Sequence, residues 1–446
     1  MKLTVDKIAK ALSQEYAGKD FKIDQVVIDS RMVKNYTAFA AIVGERNDGH
    51  SYIEELDRQY DHLVFLGTKP RGASLRNPYF QVADIREALG ALARTHLSEM
   101  DAKVIGVTGS VGKTTTKNFL LAALSACTEA CATKGNQNNE LGVPLTALSV
   151  EEHHRAAIIE MGMRGLGQIS YLTRFAKPDI ALITNVGVAH MELLGSRENI
   201  AKAKLELVDT MKESGIGLLN GDEPLLYRQR PEKDCRYFGF GEQNDYRAID
   251  VKEKSFTLIY PEGSLPITLQ VEGEHQIMNA LAAFGAGHLL GYEPSLLAKG
   301  LERFSGDGRR WFIEEVAGIT VIDDSYNASP DSMAAALKVL ASKPARRVAV
   351  LGDMLELGAL EEQGHQQVGA LCKELKIDLL ITFGSASEKI NEAAGSIEKY
   401  HLQEREQMLP LLETLLKAGD TVLFKASNSM NFQGFAKELK ERMKKE

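Results

Sequence analysis

Cysteine, tryptophan, long apolar runs and basic clusters are all scarce in this sequence, and each scarcity closes off a class of protein. Four cysteines, Cys127, Cys131, Cys235 and Cys372, are spread over 446 residues. That is too few and too scattered for a disulfide framework or for two paired zinc-ligand motifs. Cys127 and Cys131, beside Ala122, Ala123 and Leu124, read as small buried hydrophobes on one side of a helix. No stretch of about 18 uncharged apolar residues occurs, so no membrane span is expected. Met1 to Lys10 carries Lys2, Asp6, Lys7 and Lys10, which leaves no apolar segment of export-signal length, and a cytoplasmic location is expected. The balance of 53 Lys+Arg against 61 Asp+Glu gives a net charge of -8. A nucleic-acid partner is not expected, because phosphate contacts want a basic field. Lys437, Lys440, Arg442, Lys444 and Lys445 alternate with Glu438, Glu441 and Glu446 at helical spacing, the pattern of a solvated helix face.

What is present is an ordinary globular composition, 44% hydrophobic and 26% charged, with room for two to four domains at about 100–200 residues each. The first hundred residues mix a helix pattern (Val5, Ile8, Ala9, Leu12) with strand-like runs at 26–28 and 63–66. From about residue 102 the texture changes. Apolar runs at 104–107, 156–159, 180–186 and 216–219 alternate with helical segments, which predicts a parallel sheet covered on both faces. Residues 231–266 are polar with alternating pieces such as 255–260, an antiparallel insertion or edge. A helix is expected around 279–290. After the turn-rich stretch 304–310 the strand–helix rhythm restarts, with runs at 319–322, 348–351, 379–383 and 422–424. The expected class is α/β, in three domains at 1–100, 101–308 and 309–446.

The strongest local signal is Val104-Ile-Gly-Val-Thr-Gly-Ser-Val-Gly-Lys-Thr-Thr-Thr. An apolar strand enters a glycine turn at Gly109 and Gly112, and Lys113 and Thr114 then open a helix. Glycines let backbone N–H groups approach phosphate oxygens, and the new helix aims its unpaired N–H groups at them. Lys113 then reaches the β and γ oxygens, and the Thr114 hydroxyl is placed for Mg²⁺. The loop is shorter than the full Walker spacing, since Val107 stands where a further glycine would be. Glu160 follows the apolar run 156–159, at the edge where doubly wound sheets bind ligands, and is a metal-ligand candidate. His190 closes Thr184-Asn-Val-Gly-Val-Ala-His after the next strand, so a role near the same metal is expected. His153 and His154 read as a solvated turn. Gly165-Leu-Gly-Gln is only a superficial dinucleotide loop, lacking its last glycine. Asp323, Asp324 and Asn327 stand at a strand end. For Asn327 a substrate or nucleotide contact is expected; for the two aspartates a contact of that kind and an N-cap for the helix near Asp331 are both open.

Taken together these segments resemble the Mur ligase family. The resemblance rests on Asp29-Ser-Arg, Gly44-Glu-Arg-Asn-Asp-Gly-His, Thr108-Gly-Ser-Val-Gly-Lys-Thr-Thr-Thr-Lys and Gly135-Asn-Gln-Asn-Asn-Glu-Leu-Gly-Val-Pro. It continues in Glu160-Met-Gly, the His190 segment with Ala201-Lys-Ala-Lys, Asp323-Asp-Ser-Tyr-Asn-Ala, Leu351-Gly-Asp-Met-Leu-Glu-Leu-Gly and Lys425-Ala-Ser-Asn-Ser-Met. Within the family, the 138–144, 324–328 and 352–358 segments are similar to the member that adds D-alanyl-D-alanine to UDP-N-acetylmuramoyl-tripeptide, and those two substrates are the expected partners.

The resemblance implies a small mixed α/β substrate domain, a central P-loop ATPase domain, and a Rossmann-like C-terminal domain that closes over the site. It implies ATP and Mg²⁺ as cofactors and a monomer. Nucleotide contacts fall on Gly109, Ser110, Val111, Gly112, Lys113, Thr114, Thr115, Asn279, Arg309 and Asn327. Metal contacts fall on Thr114, Glu160, His190 and Lys204; a lysine at this place is carbamylated in several members, Lys204 aligning best and Lys202 second. Substrate contacts fall on Ser30, Arg31, Arg46, Asn136, Asn138, Asn139 and Asn327. Catalysis falls on Lys113, Glu160, His190, Lys204 and Arg309. Two departures stand out: Ala426 and Asn428 replace the usual glycine and arginine, and 35–43 lacks the usual glycine-containing approach to Gly44. The alternatives are a family member adding a different amino acid, or a P-loop nucleotide switch. Against the switch, no Asn-Lys-x-Asp guanine-reading motif is present.

Overall fold

The structure, a computed structural model, describes residues 1–45, 47–71, 74–229, 232–306 and 311–444. Its apolar runs become three sheets. The first is fully parallel in the order β1 (Gln25–Val27), β2 (Thr37–Ala40), β3 (Val64–Gly67) and β4 (Tyr79–Gln81). The second holds β5 (Lys103–Thr108), β6 (Ala130–Ala132), β7 (Ala156–Glu160), β8 (Ile180–Ile183), β9 (Ile216–Asn220), β10 (Cys235–Gly239), β11 (Tyr246–Lys252), β12 (Ser255–Tyr260) and β13 (Gly263–Thr268). Its order is β13-β12-β11-β10-β9-β8-β5-β7-β6. From β6 to β11 the pairs are parallel; only the hairpin edge β11-β12-β13 is antiparallel. Strands β7 and β8 are buried along their whole length, as parallel strands covered on both faces must be.

The third sheet holds β14 (Phe312–Val316), β15 (Ile319–Asp323), β16 (Arg347–Gly352), β17 (Leu379–Phe383), β18 (Glu398–Leu402) and β19 (Thr421–Lys425), ordered β14-β15-β19-β16-β17-β18. Only β14 runs against its neighbour.

The apolar cores follow the sheet faces, with one fusion. A continuous layer takes in Leu3 and Ile8, before and within the first helix, Val5–Ala11, Phe80 of the first sheet, and Val104, Ile183 and Leu219 of the second. The helix Ile85–Leu97 makes the joint, and Gly90 gives it room: a Cβ there stands 2.2 Å from the ring of Phe175. The opposite face of the second sheet is covered by helices Lys113–Ser125 and Glu274–Leu289.

Two local expectations are corrected. Cys127 and Cys131 do not share a helix, because the chain leaves helical geometry after Ser125, turns, and places Cys131 in β6. Asp323 and Asp324 do not cap the following helix. Ser329 does, in a capping box with Ser332, which leaves the aspartates for other contacts.

Candidate active site

The chain leaves β5 toward β6 on one side of the second sheet and leaves β8 toward β9 on the other. A crevice opens where neighbouring strands diverge in this way, beyond their carboxyl ends. The loops after β5 and β8 meet there. Gly112 adopts φ +82° as the cap of helix Lys113–Ser125, a conformation that favours glycine, and a Cβ would stand 2.7 Å from Asn279 Oδ1. The backbone N–H groups of Ser110 and Val111 both donate to Asn185 Oδ1, at 3.0 and 2.9 Å. Thr184 Oγ1 donates to the Val111 carbonyl at 2.6 Å. The β8 loop therefore braces the glycine turn from beneath, and Lys113 Nζ lies against the carbonyls of Gly109 and Ser110 at 2.7 and 3.4 Å.

Glu160 ends β7 and is 1% exposed. Its two oxygens accept from Thr114 Oγ1 and from Asn138 Nδ2, each at 2.8 Å. Such a carboxylate is held by polar partners yet stays an oxygen donor. Lys204, on the helix Arg197–Asp209, is 1% exposed, and burial together with the charge of Lys113 pushes its amine well below the ordinary lysine pKa.

A cavity of about 690 Å³ opens over this floor, roofed by the third sheet. Asp324, Asn327, Glu356 and Lys425 come from the roof; Lys113, Asn138, Glu160 and His190 from the floor. His190, at φ +65°, sets Nδ1 2.8 Å from Glu356 Oε2, an ion-pair approach whose angle makes no hydrogen bond. Burial lowers the His190 pKa, Glu356 opposes that, and Lys113 and Lys204 add to it. Lys425, 2% exposed, donates to Asp324 Oδ2 at 2.5 Å and to the Asn327 carbonyl at 3.1 Å, fixing the β15 loop. Asn428 donates to the Tyr326 carbonyl at 3.0 Å. Among the described residues, Ser110 Oγ, His190 Nδ1 and Trp311 Nε1 are buried cleft atoms without a hydrogen-bond partner. Buried polar atoms left in this state mark where a polar ligand is accommodated.

Of the residues singled out in the sequence, the cleft brings together Ser110, Val111, Gly112, Lys113, Thr115, Asn136, Asn138, Glu160, His190, Asn279 and Asn327. Thr114 joins them through Glu160. Asn139 is engaged elsewhere, its Oδ1 accepting from Gly142 N at 2.9 Å at the start of helix Gly142–Leu148. Ser30 and Arg31 lie beside the first sheet, where Asp29 pairs with Arg31 at 2.7 Å, and they do not line this cleft. Arg46 and Arg309 lie outside the described residues. Among the cleft residues to which sequence reasoning assigns no role are Asn185, His275, Trp311 and Glu356. Asn185 lies within the stretch from Thr184 to His190 and is legible as a polar residue just past a buried strand. Trp311, the one tryptophan of the chain, belongs to no motif at all. The pair Gly165 and Gly167 proves unsuited to phosphate, because Glu206 already accepts from Gly167 N at 2.6 Å and Ser170 N at 3.0 Å.

Comparison with known proteins decides the family. Residues 107–287 match the Mur ligase middle domain and residues 308–428 the domain described as Mur ligase, glutamate ligase domain. The chain belongs to the Mur ligase family. A Bacillus subtilis (strain 168) protein named UDP-N-acetylmuramoyl-tripeptide–D-alanyl-D-alanine ligase is 38% identical, with 99% of each chain covered. An Escherichia coli (strain K12) protein of the same name is 33% identical, with 98% of each covered. Among solved structures, MurF from Acinetobacter baumannii superposes with a TM-score of 0.89 at 30% identity, covering 98% of both chains. MurF ligase from Thermotoga maritima, solved in complex with ADP, gives 0.84 at 29% identity over 94% of this chain and 98% of that one. The three-sheet α/β fold is thus that of a Mur ligase throughout.

Proposed function

We propose that this chain is the ATP-dependent ligase that joins D-alanyl-D-alanine to UDP-N-acetylmuramoyl-tripeptide, completing the pentapeptide precursor of peptidoglycan. It acts in the cytoplasm as a monomer, with a substrate domain at 1–100, an ATPase domain at 101–308 and a closing domain at 309–446. One observation carries the reading: a phosphate loop and a buried strand-end carboxylate face a second α/β layer across one cleft, in a chain 38% identical over nearly its full length to a protein of that name. Among the described residues no helix is long and apolar enough to cross a membrane.

ATP suits the glycine turn, where helix-start N–H groups and Lys113 converge. The metal site is tested by its donors. The Thr114 hydroxyl and the Glu160 carboxylate are hard oxygens, the share of ligands a protein gives Mg²⁺ while water and phosphate supply the rest. Thr114 and Glu160 would hold the ion, with His190 and Lys204 beside them. Bound there it neutralises charge on phosphoryl oxygens. A neutral Lys204 amine is the form that carbamate formation requires, which supports the carbamylated lysine of several family members.

The tripeptide carboxylate attacks the γ-phosphoryl group, giving an acyl phosphate and ADP. Lys113 stands where charge builds on the transferred group. The amine of D-alanyl-D-alanine then attacks the acyl carbon, and the tetrahedral intermediate expels phosphate. Both intermediates are lost to water, so the roof of Asp324, Asn327 and Glu356 serves to exclude it. ADP release measured with ATP, UDP-linked tripeptide and either D-alanyl-D-alanine or single amino acids tests the reading. Release only with a single amino acid assigns a different family member, and release without any carboxylate substrate assigns a nucleotide switch.

A further inference from the structure

Both peptide substrates of the proposed reaction carry carboxylates that do not react, and these anions must be held while another carboxylate meets the phosphoryl group. Cationic side chains on the cleft wall are already committed in most cases. Lys113 belongs to the phosphate loop and Lys425 to Asp324. Arg164 differs. It lines the cleft on the side of Glu160 and Asn138, and among the described residues its guanidinium makes no ion pair or hydrogen bond.

Its backbone, by contrast, is fixed. Gly162 N donates to the Asn138 carbonyl at 2.8 Å, Met163 is 7% exposed in the core, and Arg164 N donates to Gln168 Oε1 at 2.6 Å. Glu206, the acid tied to the same loop, is spent on the N–H groups of Gly167 and Ser170. A rigid loop therefore presents a planar, permanently charged fork to the cleft, which is the geometry that recognises a carboxylate by paired hydrogen bonds. Arg164 is exposed to solvent at the mouth of the cleft that Glu160 and Asn138 also line, so an anion entering from solution meets it without displacing a protein partner.

We propose that Arg164 binds a non-reacting carboxylate of a peptide substrate, from the terminus of D-alanyl-D-alanine or from the tripeptide. The proposal rests on the ligase reading above. Steady-state kinetics of the full chain and of Arg164→Gln, with each substrate varied in turn, test it. The expected result is a KM at least about tenfold higher for one peptide substrate, the size of one lost charged hydrogen-bonded contact, with the KM for ATP within about twofold and partial recovery in Arg164→Lys. Two arms separate the sources. If wild type prefers D-alanyl-D-alanine to its C-terminal amide and Arg164→Gln does not, the dipeptide terminus is the ligand. If the variant instead loses discrimination between tripeptides ending in diaminopimelate and in lysine, the third residue's free carboxylate is the ligand. Peptide KM values within about twofold of wild type overturn the proposal. Absence of any product with wild type overturns the ligase reading instead, so the two failures are distinguishable.

Discussion

Thr114 and Glu160, 46 residues apart in the chain, meet through a 2.8 Å hydrogen bond at the end of β7. The contact joins the first turn of the phosphate-loop helix to a neighbouring strand, so the donors for phosphate and metal are held in one piece. Glu160→Gln keeps the shape and removes the charge. We expect kcat to fall by about 10²–10³-fold, the scale of losing one preorganised electrostatic contact, with little change in melting temperature. Stopped assays of ADP release check this; near-normal turnover would place the metal elsewhere.

Asn185 holds two adjacent N–H groups of the glycine turn with a single oxygen. Asn185→Ala frees both, at about 1 kcal/mol for each bond. The expected outcome is nucleotide affinity weakened by about tenfold or more. Titration calorimetry with ADP reads it, and tighter binding would mean that Asn185 competes with phosphate for the same donors.

Gly90 has no room for a methyl group. Phe175 is fully buried and also sets its ring against Tyr171 with centroids 4.8 Å apart, so it cannot swing aside. Gly90→Ala gains about 1 kcal/mol of helix propensity and loses about 1–3 kcal/mol to overpacking. A net destabilisation of up to about 2 kcal/mol is expected, visible as a lower urea midpoint; an unchanged or higher midpoint would show that the joint is loose.

His96 is fully buried between Lys2 N and the Val150 carbonyl, the latter 2.7 Å from Nε2, and desolvation lowers its pKa. In acid the unfolded chain takes up this proton and the folded chain resists it. The contribution is therefore complete above the ordinary histidine value of about 6.5 and declines as pH falls below it. His96→Asn should narrow the gap between denaturation midpoints at about pH 7.5 and about pH 5.5. A gap of wild-type size would assign the acid sensitivity to other groups.

How much of the molecule is legible in its sequence depends on the range of the interaction. Strands β5, β7, β8 and β9 are legible because a parallel strand buried on both faces is a continuous apolar run, as in Ile180–Ile183. Lys113 and Thr114 are legible because the chemistry of the loop is local. Polarity and alternation predict an antiparallel edge from about residue 231, whereas β10 and β11 are in fact parallel and only β12 and β13 reverse. Alternation says that one face is wet; it does not give direction. The pairing of Lys425 with Asp324 depends on β15 and β19 lying side by side in the third sheet, and that of His190 with Glu356 on the second sheet facing the third, and no spacing in the chain announces either.

The apolar layer running unbroken from Leu3 to Tyr237 has a mechanical consequence. It makes the first two sheets a single anvil, so the β1–β4 layer and the phosphate loop share one frame. The third sheet meets that anvil through fewer and mixed contacts, His190 with Glu356, Lys343 with Glu272 and Leu360 on the apolar layer, so any hinge in the molecule would have to break these and not the fused core.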